Sequence, residues 1–300
     1  LEPNPDYRIP GLPRCESLQI SLGVPDTAIL DGFKNGTYSL ASSLSSAQVH
    51  ELSEHPTLAS CYREVPGLST CFLAMNAHFG ALADPDLRKK LSQAIALDRL
   101  VVQALGRHGR PAQGLIPPDL LPSSSGSRSS VSDEYATTKE RARLRLLRHS
   151  VFESTYRDVE DYLVRCLGAV GFEIEILPER HDDPVDLDVS QVDLVLSWWS
   201  ADYPDPDSFV HGLLHSKEGD IGMFCGTPEI DRLIHLGREQ TDPRDRQDIY
   251  REIEDLLSRG ALLLPLFHEQ SYRFVRPEVQ GFELLLREPA VAYERLWIKS

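Results

Sequence analysis

The chain has 300 residues, of which 41% are hydrophobic and 26% charged, enough apolar content for a sizeable core and too mixed for a disordered chain. Its 46 acidic residues against 31 basic ones leave a formal charge of −15, which opposes contact with phosphate backbones and anionic lipid. Nucleic-acid binding and membrane insertion are therefore not expected, and no apolar run approaches the length of a membrane span.

The opening, LEPNPDYRIPGLP, has neither a basic n-region nor an apolar h-region, so it reads as a chain entered partway rather than as a signal peptide. Ser17–Leu22 alternates apolar and polar residues and predicts a strand. Asp26–Phe33 predicts a short helix stopped by Asn35-Gly36, and Ser45 or Ser46 caps a helix through Leu52. Leu58–Glu64 and Ser69–Asn76 predict two strands joined at Val65-Pro66-Gly67. Asp84-Pro85-Asp86 is a strong helix start, with that helix running to about Ala96 and a second from Leu97-Asp98 to Gly106. Residues 109–132 read as an extended, proline-stiffened connection followed by a flexible Ser-rich loop.

From Arg141 the pattern becomes α/β. Arg143–Arg148, Phe172–Leu177 and Val192–Trp198 predict strands, and Ser154 caps an intervening helix through Leu167. That order favours parallel pairing with a right-handed crossover. Thr227-Pro228 and Asp242-Pro243 start two further helices, and Ala261–His268 and Tyr272–Val275 predict core strands.

The five cysteines, Cys15, Cys61, Cys71, Cys166 and Cys225, show no C-x-x-C spacing. Cys61 and Cys71 would face each other if the predicted hairpin forms; five reduced, mostly packed thiols are the other reading. Asp207, His211 and His215 share a helix face by spacing, but no third metal ligand is placed, and they read as partly exposed helical residues. His181-Asp182-Asp183 reads as a solvated loop. Arg141, Arg143, Arg145 and Arg148 alternate, as on a solvated strand face. Gly219-Asp220-Ile221-Gly222 lacks the Lys-Ser/Thr ending of a phosphate loop. With no metal or cofactor motif and no nucleophile–base pair, neither cofactor, metal nor catalysis is expected.

The richest segment is Ser197–Phe209, SWWSADYPDPDSF. Trp198 and Trp199 end an apolar strand, Ser200-Ala201-Asp202 follow, and a Pro204–Pro206 turn leads into a short helix. Ligands of open α/β sheets gather at the carboxyl ends of strands. Two indoles there make a flat apolar wall and Asp202 an anionic acceptor, suited to a ligand with a cationic amine. A strand-end turn whose tryptophans pack into a core is the alternative. Asp205 and Asp207 read as turn and cap residues.

This segment resembles the aromatic-acid signature G-W-x-A-D-Y-x-D-P of the family 5 extracellular solute-binding proteins, the peptide-binding components of ABC importers. Asn4–Pro13, Phe33–Gly36, Phe72–Asn76, Ala83–Arg99, Pro111–Pro118, Asp242–Ile253 and Leu264–His268 are similar, in order, to further segments of that family. The resemblance implies an α/β fold like a type II periplasmic binding protein: a large lobe with part of the other, mixed sheets flanked by helices, closing as a clamp on a ligand. It implies residues 1–70 as part of the first lobe, 71–280 as the ligand-binding lobe and 281–300 as a return strand. It implies non-catalytic binding of a peptide or small amine-bearing solute, with ABC-importer membrane subunits as partners and a periplasmic or extracytoplasmic location. Asp202 resembles the carboxylate that takes the ligand's α-amino group, Trp199 the wall of a side-chain pocket, and the backbone around Trp198–Ser200 the strand that bonds the ligand main chain, with Ala201 counted among the ligand-binding residues. The chain departs from the pattern in Trp198, where Gly is usual, and in the Ser-rich stretch. The small second domain and the family's opening strands are expected to be absent. The same module also serves as a ligand-sensing domain of a larger regulatory protein, which would place it in the cytoplasm.

Overall fold

A computed structural model describes residues 1–122, 142–153, 155–177, 188–286 and 290–299. The Ser-rich loop, Arg141, the expected cap Ser154 and the His181-Asp182-Asp183 loop lie outside the described residues. The chain forms two compact units: Leu1–Gly67, Gly106–His108 and Gln270–Ser300 make the first, Leu68–Leu105 and Gly109–Glu269 the second.

In the first unit, α1 (Asp26–Asn35) ends where Gly36 takes a left-handed φ of 90°. Helix α2 (Ser46–Ser53) opens on a reciprocal capping box: the Ser45 hydroxyl accepts from the Gln48 N–H, and the Gln48 side chain accepts from the Ser45 N–H. Strand β1 (Leu40–Ala41) pairs antiparallel with the end of the long strand Leu263–Val275, Leu40 opposite Val275. Phe33, Val49, Leu52, Cys61 and Phe274 form its main core. A smaller cluster joins Val275, Val279, Val291 and Leu296.

Two predicted breaks do not occur. The hairpin expected at Pro66-Gly67 is one continuous strand, β2 (Tyr62–Met75). Gly67 does not take the positive φ that a type II turn needs, and Pro66 keeps Val65 extended, so the dipeptide passes through a strand. Cys61 and Cys71 therefore do not face each other, and all five cysteines are free thiols. The two strands expected at 261–275 are likewise one, Leu263–Val275. Ser17–Leu22 is not a strand: Leu1 and Leu18 exchange two hydrogen bonds, and Ile20 and Leu22 are exposed with no core to bury their alternation.

The second unit is built on a mixed sheet. After α3 (Pro85–Gln93), capped by Asp84 and ending before the expected Ala96, come α4 (Leu97–Leu100), a π-turn over Val101–Leu105 and β3 (Gly109–Pro111). Then follow β4 (Ala142–Arg148), α5 (Arg157–Ala169), β5 (Phe172–Ile176) and β6 (Leu194–Ser200). Helices α6 (Asp207–Leu214), α7 (Gly222–Cys225), α8 (Pro228–Glu239) and α9 (Pro243–Gly260) precede β7 (Leu263–Val275). Beyond it, β8 (Val279–Gln280) pairs with β9 (Trp297–Ile298) in the first unit. The strand order across the second unit is β7–β2–β6–β4–β5. Strand β4 runs parallel to both β5 and β6, as the strand–helix–strand pattern predicts.

Strand alternation divides the core into two layers. Cys71, Leu73, Met75, Leu194 and Leu196 face Leu91, Leu100, Val159 and Leu163 of α3, α4 and α5. Phe72, Ala74 and Val195 face Phe209, Leu213, Ile230, Ile234, Tyr250 and Ile253 of α6, α8 and α9. The segment after β3, expected as an extended, proline-stiffened connection, is packed through residue 121: Leu115, Ile116 and Leu121 join the second layer. Leu115 and Ile116 donate their N–H groups to the two Glu254 oxygens at 2.9 and 2.7 Å.

Candidate functional site

Strand β6 carries the segment singled out above. On one side β2 accompanies it to the end, Ser69 opposite Ser200 and Met75 opposite Leu194. On the other side β4 covers it only as far as Leu196, opposite Arg148, where the His149 N–H closes the ladder on the Leu196 carbonyl. Ala201 sends its N–H to the carbonyl of Leu68 in β2, so the odd-numbered residues of β6 direct their backbone toward β2 and the even-numbered ones away from it. The N–H and C=O groups of Trp198 and Ser200 thus face an edge that β4 has left, with no backbone partner among the described residues.

The two indoles do not form one wall. Successive strand residues point to opposite faces, and Trp198 packs on the α5 layer while Trp199 packs on the α6 layer. Trp198 donates its indole N–H to Glu269 Oε2 at 2.7 Å. Trp199 donates to the Ser208 carbonyl at 2.9 Å and lies against Gly212, where an added Cβ would stand 2.9 Å from the ring. Both are half-buried, and Ser200 and Ala201 continue half-buried beyond them. Ser200 Oγ accepts from the Ser69 hydroxyl at 3.2 Å.

Asp202 follows on an exposed turn. Its N–H is held by Ser208 Oγ at 3.0 Å, while its carboxylate has no hydrogen-bond or ion-pair partner among the described residues. Burial and the negative charge of Asp202 raise the carboxyl of Asp220 above its usual range. The other two acids of the turn are occupied. Arg246 of α9 grips both oxygens of Asp205 at 2.7 and 2.8 Å, and Asp205 Oδ1 also accepts the Asp207 N–H at 2.8 Å. Burial alone would raise the Asp205 carboxyl; the Arg246 guanidinium and the Asp207 N–H outweigh it and hold it low. Asp207 Oδ2 accepts the Tyr203 hydroxyl at 3.0 Å and lies 3.5 Å from Arg238. Asp205 is thus a turn residue that holds the Asp207 N–H, whereas Asp207 is the first residue of α6, which has no side-chain cap; both also meet arginines, from α9 and α8 respectively.

Other constellations are structural. Arg145 is paired with the buried Asp193 at 3.0 Å, Arg148 with Glu160 and Glu153 at 2.6 Å each, and Arg143 with Glu175 at 3.2 Å, so the three described arginines of the alternating set are ion-paired rather than free. Helix α6 ends at Leu214, and His215 terminates it; the His211 and His215 rings lie 5.3 Å apart. No cluster of three or more metal-ligating side chains occurs among the described residues. A cavity of about 170 Å³ beside α9 is lined by Ile116, Arg251, Glu254, Ser258, Pro265 and His268, and by none of the residues of the Ser197–Phe209 segment.

Arg246, Ser208 and Glu269 hold the motif in place, and sequence reading gave none of them a role. Arg246 and Tyr250 stand one helical turn apart on α9 and their side chains meet at 2.7 Å; that spacing was visible, but their partner Asp205 lies far away in the chain.

A mixed sheet with helices on both faces, and a motif at the carboxyl end of a central strand, is the architecture of a type II periplasmic-binding-protein lobe. The model of the bacterial extracellular solute-binding proteins, family 5 (middle), matches residues 1–220, and the chain belongs to that family. It is 24% identical over 294 residues to a probable ABC transporter periplasmic-binding protein, SapA, of Escherichia coli (strain K12), covering 91% of this chain and 52% of that protein. It is 22% identical over 301 residues to a probable di/tripeptide-binding protein of Pseudomonas aeruginosa (strain UCBPP-PA14), covering 94% and 55%. Among solved structures, the unliganded open form of the periplasmic murein tripeptide binding protein MppA superposes with a TM-score of 0.75 at 19% identity, covering 91% of this chain and 55% of that one. The chain spans about half the length of the curated relatives it matches.

Proposed function

We propose that this chain supplies the ligand strand of a non-catalytic peptide-binding protein for ABC-type import. The observation that carries the reading is Asp202: an exposed carboxylate without a partner among the described residues, placed directly after a strand whose backbone edge is open at Trp198 and Ser200. An open edge offers main-chain hydrogen bonds to an extended peptide, which give affinity without reading sequence. Asp202 offers a charge-assisted acceptor to the peptide's α-ammonium group. Ser200 and Ala201 continue the strand toward it, Trp199 presents the exposed part of its ring on one face, and Trp198 stands on the other.

The relatives named above are described as transporter-associated or peptide-binding proteins, so import, with an extracytoplasmic location, is carried forward ahead of sensing. ABC-importer membrane subunits are the partners this reading requires.

Titration calorimetry of the intact protein with di- to pentapeptides tests it. Binding is expected for free-amine peptides, with a loss of about 2–3 kcal/mol in Asp202→Ala, the range of a charge-assisted hydrogen bond. Unchanged affinity in that variant would remove Asp202 from the site.

A further inference from the structure

Three acids lie in the turn Asp202–Asp207, and the fold treats them differently. Arg246 closes a two-pronged bond on Asp205. Its Nε donates to the Gly237 carbonyl of α8 at 2.9 Å, and Nη2 also reaches the Tyr250 hydroxyl at 2.7 Å. One side chain thereby ties the turn to both Pro-started helices. Asp207 is held by Tyr203 and Arg238. Of the three, Asp202 alone has no partner for its charge among the described residues, and its backbone is fastened to Ser208 at the start of α6.

We propose, building on the peptide-binding reading above, that Arg246 is a positioning residue for ligand amine recognition: its fork on Asp205 fixes the turn that aims Asp202. Two consequences follow from the geometry. Neutralising Asp205 keeps a second carboxylate from competing for the incoming ammonium group. Fixing the turn also spares Asp202 the ordering that a mobile acceptor would undergo on binding. Lysine cannot substitute fully, because an ammonium group lacks the planar fork that reaches two carboxylate oxygens while bonding Gly237 and Tyr250.

The test measures amine discrimination rather than affinity alone. Trialanine and N-acetyl-trialanine are titrated into the intact protein and into its Arg246→Gln and Arg246→Lys variants, with circular dichroism confirming the fold. The wild type is expected to favour the free amine. Arg246→Gln is expected to lower that preference on the order of tenfold, the change in affinity that goes with loss of one charge-assisted hydrogen bond, by weakening trialanine while leaving the acetylated peptide within about twofold. Arg246→Lys is expected to fall between. If Arg246→Gln does not fold, Asp205→Asn, which keeps the shape and breaks the charged fork, is expected to give the same pattern. Equal weakening of both peptides would show a merely structural role and overturn the inference, as would an unchanged preference. A wild type that does not discriminate, or binds neither peptide, would overturn the function itself, and this inference with it.

Discussion

Trp198 and Tyr156 are joined through one carboxylate: the indole N–H donates to Glu269 Oε2 at 2.7 Å, and the Tyr156 hydroxyl donates to Oε1. A side chain of β6 is thus locked to the start of α5. Trp198 has an acceptor for its one polar atom while its ring packs on the α5 layer.

Removing that acceptor leaves two donors without a partner. Glu269→Ala is expected to lower unfolding free energy by about 3–6 kcal/mol, since two bonds to a charged group are lost and each contributes about 1.5–3. Glu269→Gln, which retains an oxygen, should lose about half as much. Urea unfolding measures both; equal losses would mean that side-chain volume, not the shared carboxylate, matters.

Gly212 sits where α6 meets the Trp199 ring. Alanine there would by propensity stabilise a helix by about 1 kcal/mol. Instead, Gly212→Ala is expected to displace the indole, because the added Cβ stands 2.9 Å from a ring already tethered to the Ser208 carbonyl. A shifted tryptophan emission with weakened peptide binding is the expected result; unchanged emission and affinity would contradict it.

His268 predicts a pH dependence. Thr70 spends its hydroxyl proton on the Leu115 carbonyl at 2.8 Å, so it accepts from His268 Nδ1 at 2.9 Å, and the buried Nε2 is left bare. Burial pushes the imidazole down to about 4. An unfolded histidine titrates near 6.5, so between pH 6.5 and 4 the unfolded chain takes up a proton that the folded chain refuses. Stability is therefore complete above about pH 6.5 and falls on acidification, by about 3 kcal/mol in all from this group. Urea unfolding at pH 7 and 4.5 should show that loss shrinking in His268→Gln; an identical loss would assign it to other groups.

The thiols should separate by depth. Burial, with a smaller contribution from the Glu269 charge, pushes Cys71 well up, and burial alone takes Cys225 to about 12. Iodoacetamide at pH 8 is expected to label the half-buried Cys15 and Cys166 and to spare Cys71 and Cys225 until denaturant is added. Rapid native labelling of Cys71, read by mass spectrometry, would contradict its packing.

Local chemistry was legible wherever one residue type satisfies one backbone need. Asp84, Thr227 and Asp242 each accept from the first turn of the helix they cap, as their spacing before proline announces. The long strands were not legible, because Pro66-Gly67 is turn chemistry in isolation and only neighbouring strands keep it extended. At the candidate site the motif itself could be read, but its supports could not. Arg246, 41 residues from Asp205, and Glu269, 71 residues from Trp198, meet their partners only through the fold.

The pairing of Leu40 with Val275 carries a consequence for synthesis. The first unit draws on Leu1–Gly67 and on Gln270–Ser300, with roughly 200 residues between them, or about 10–40 s of translation at 5–20 residues per second. Throughout that interval Phe33, Val49 and Leu52 have no Phe274 to close over them. The core of the first unit therefore cannot close until Gln270–Ser300 has been made, so this unit folds by a long-range closure rather than in chain order.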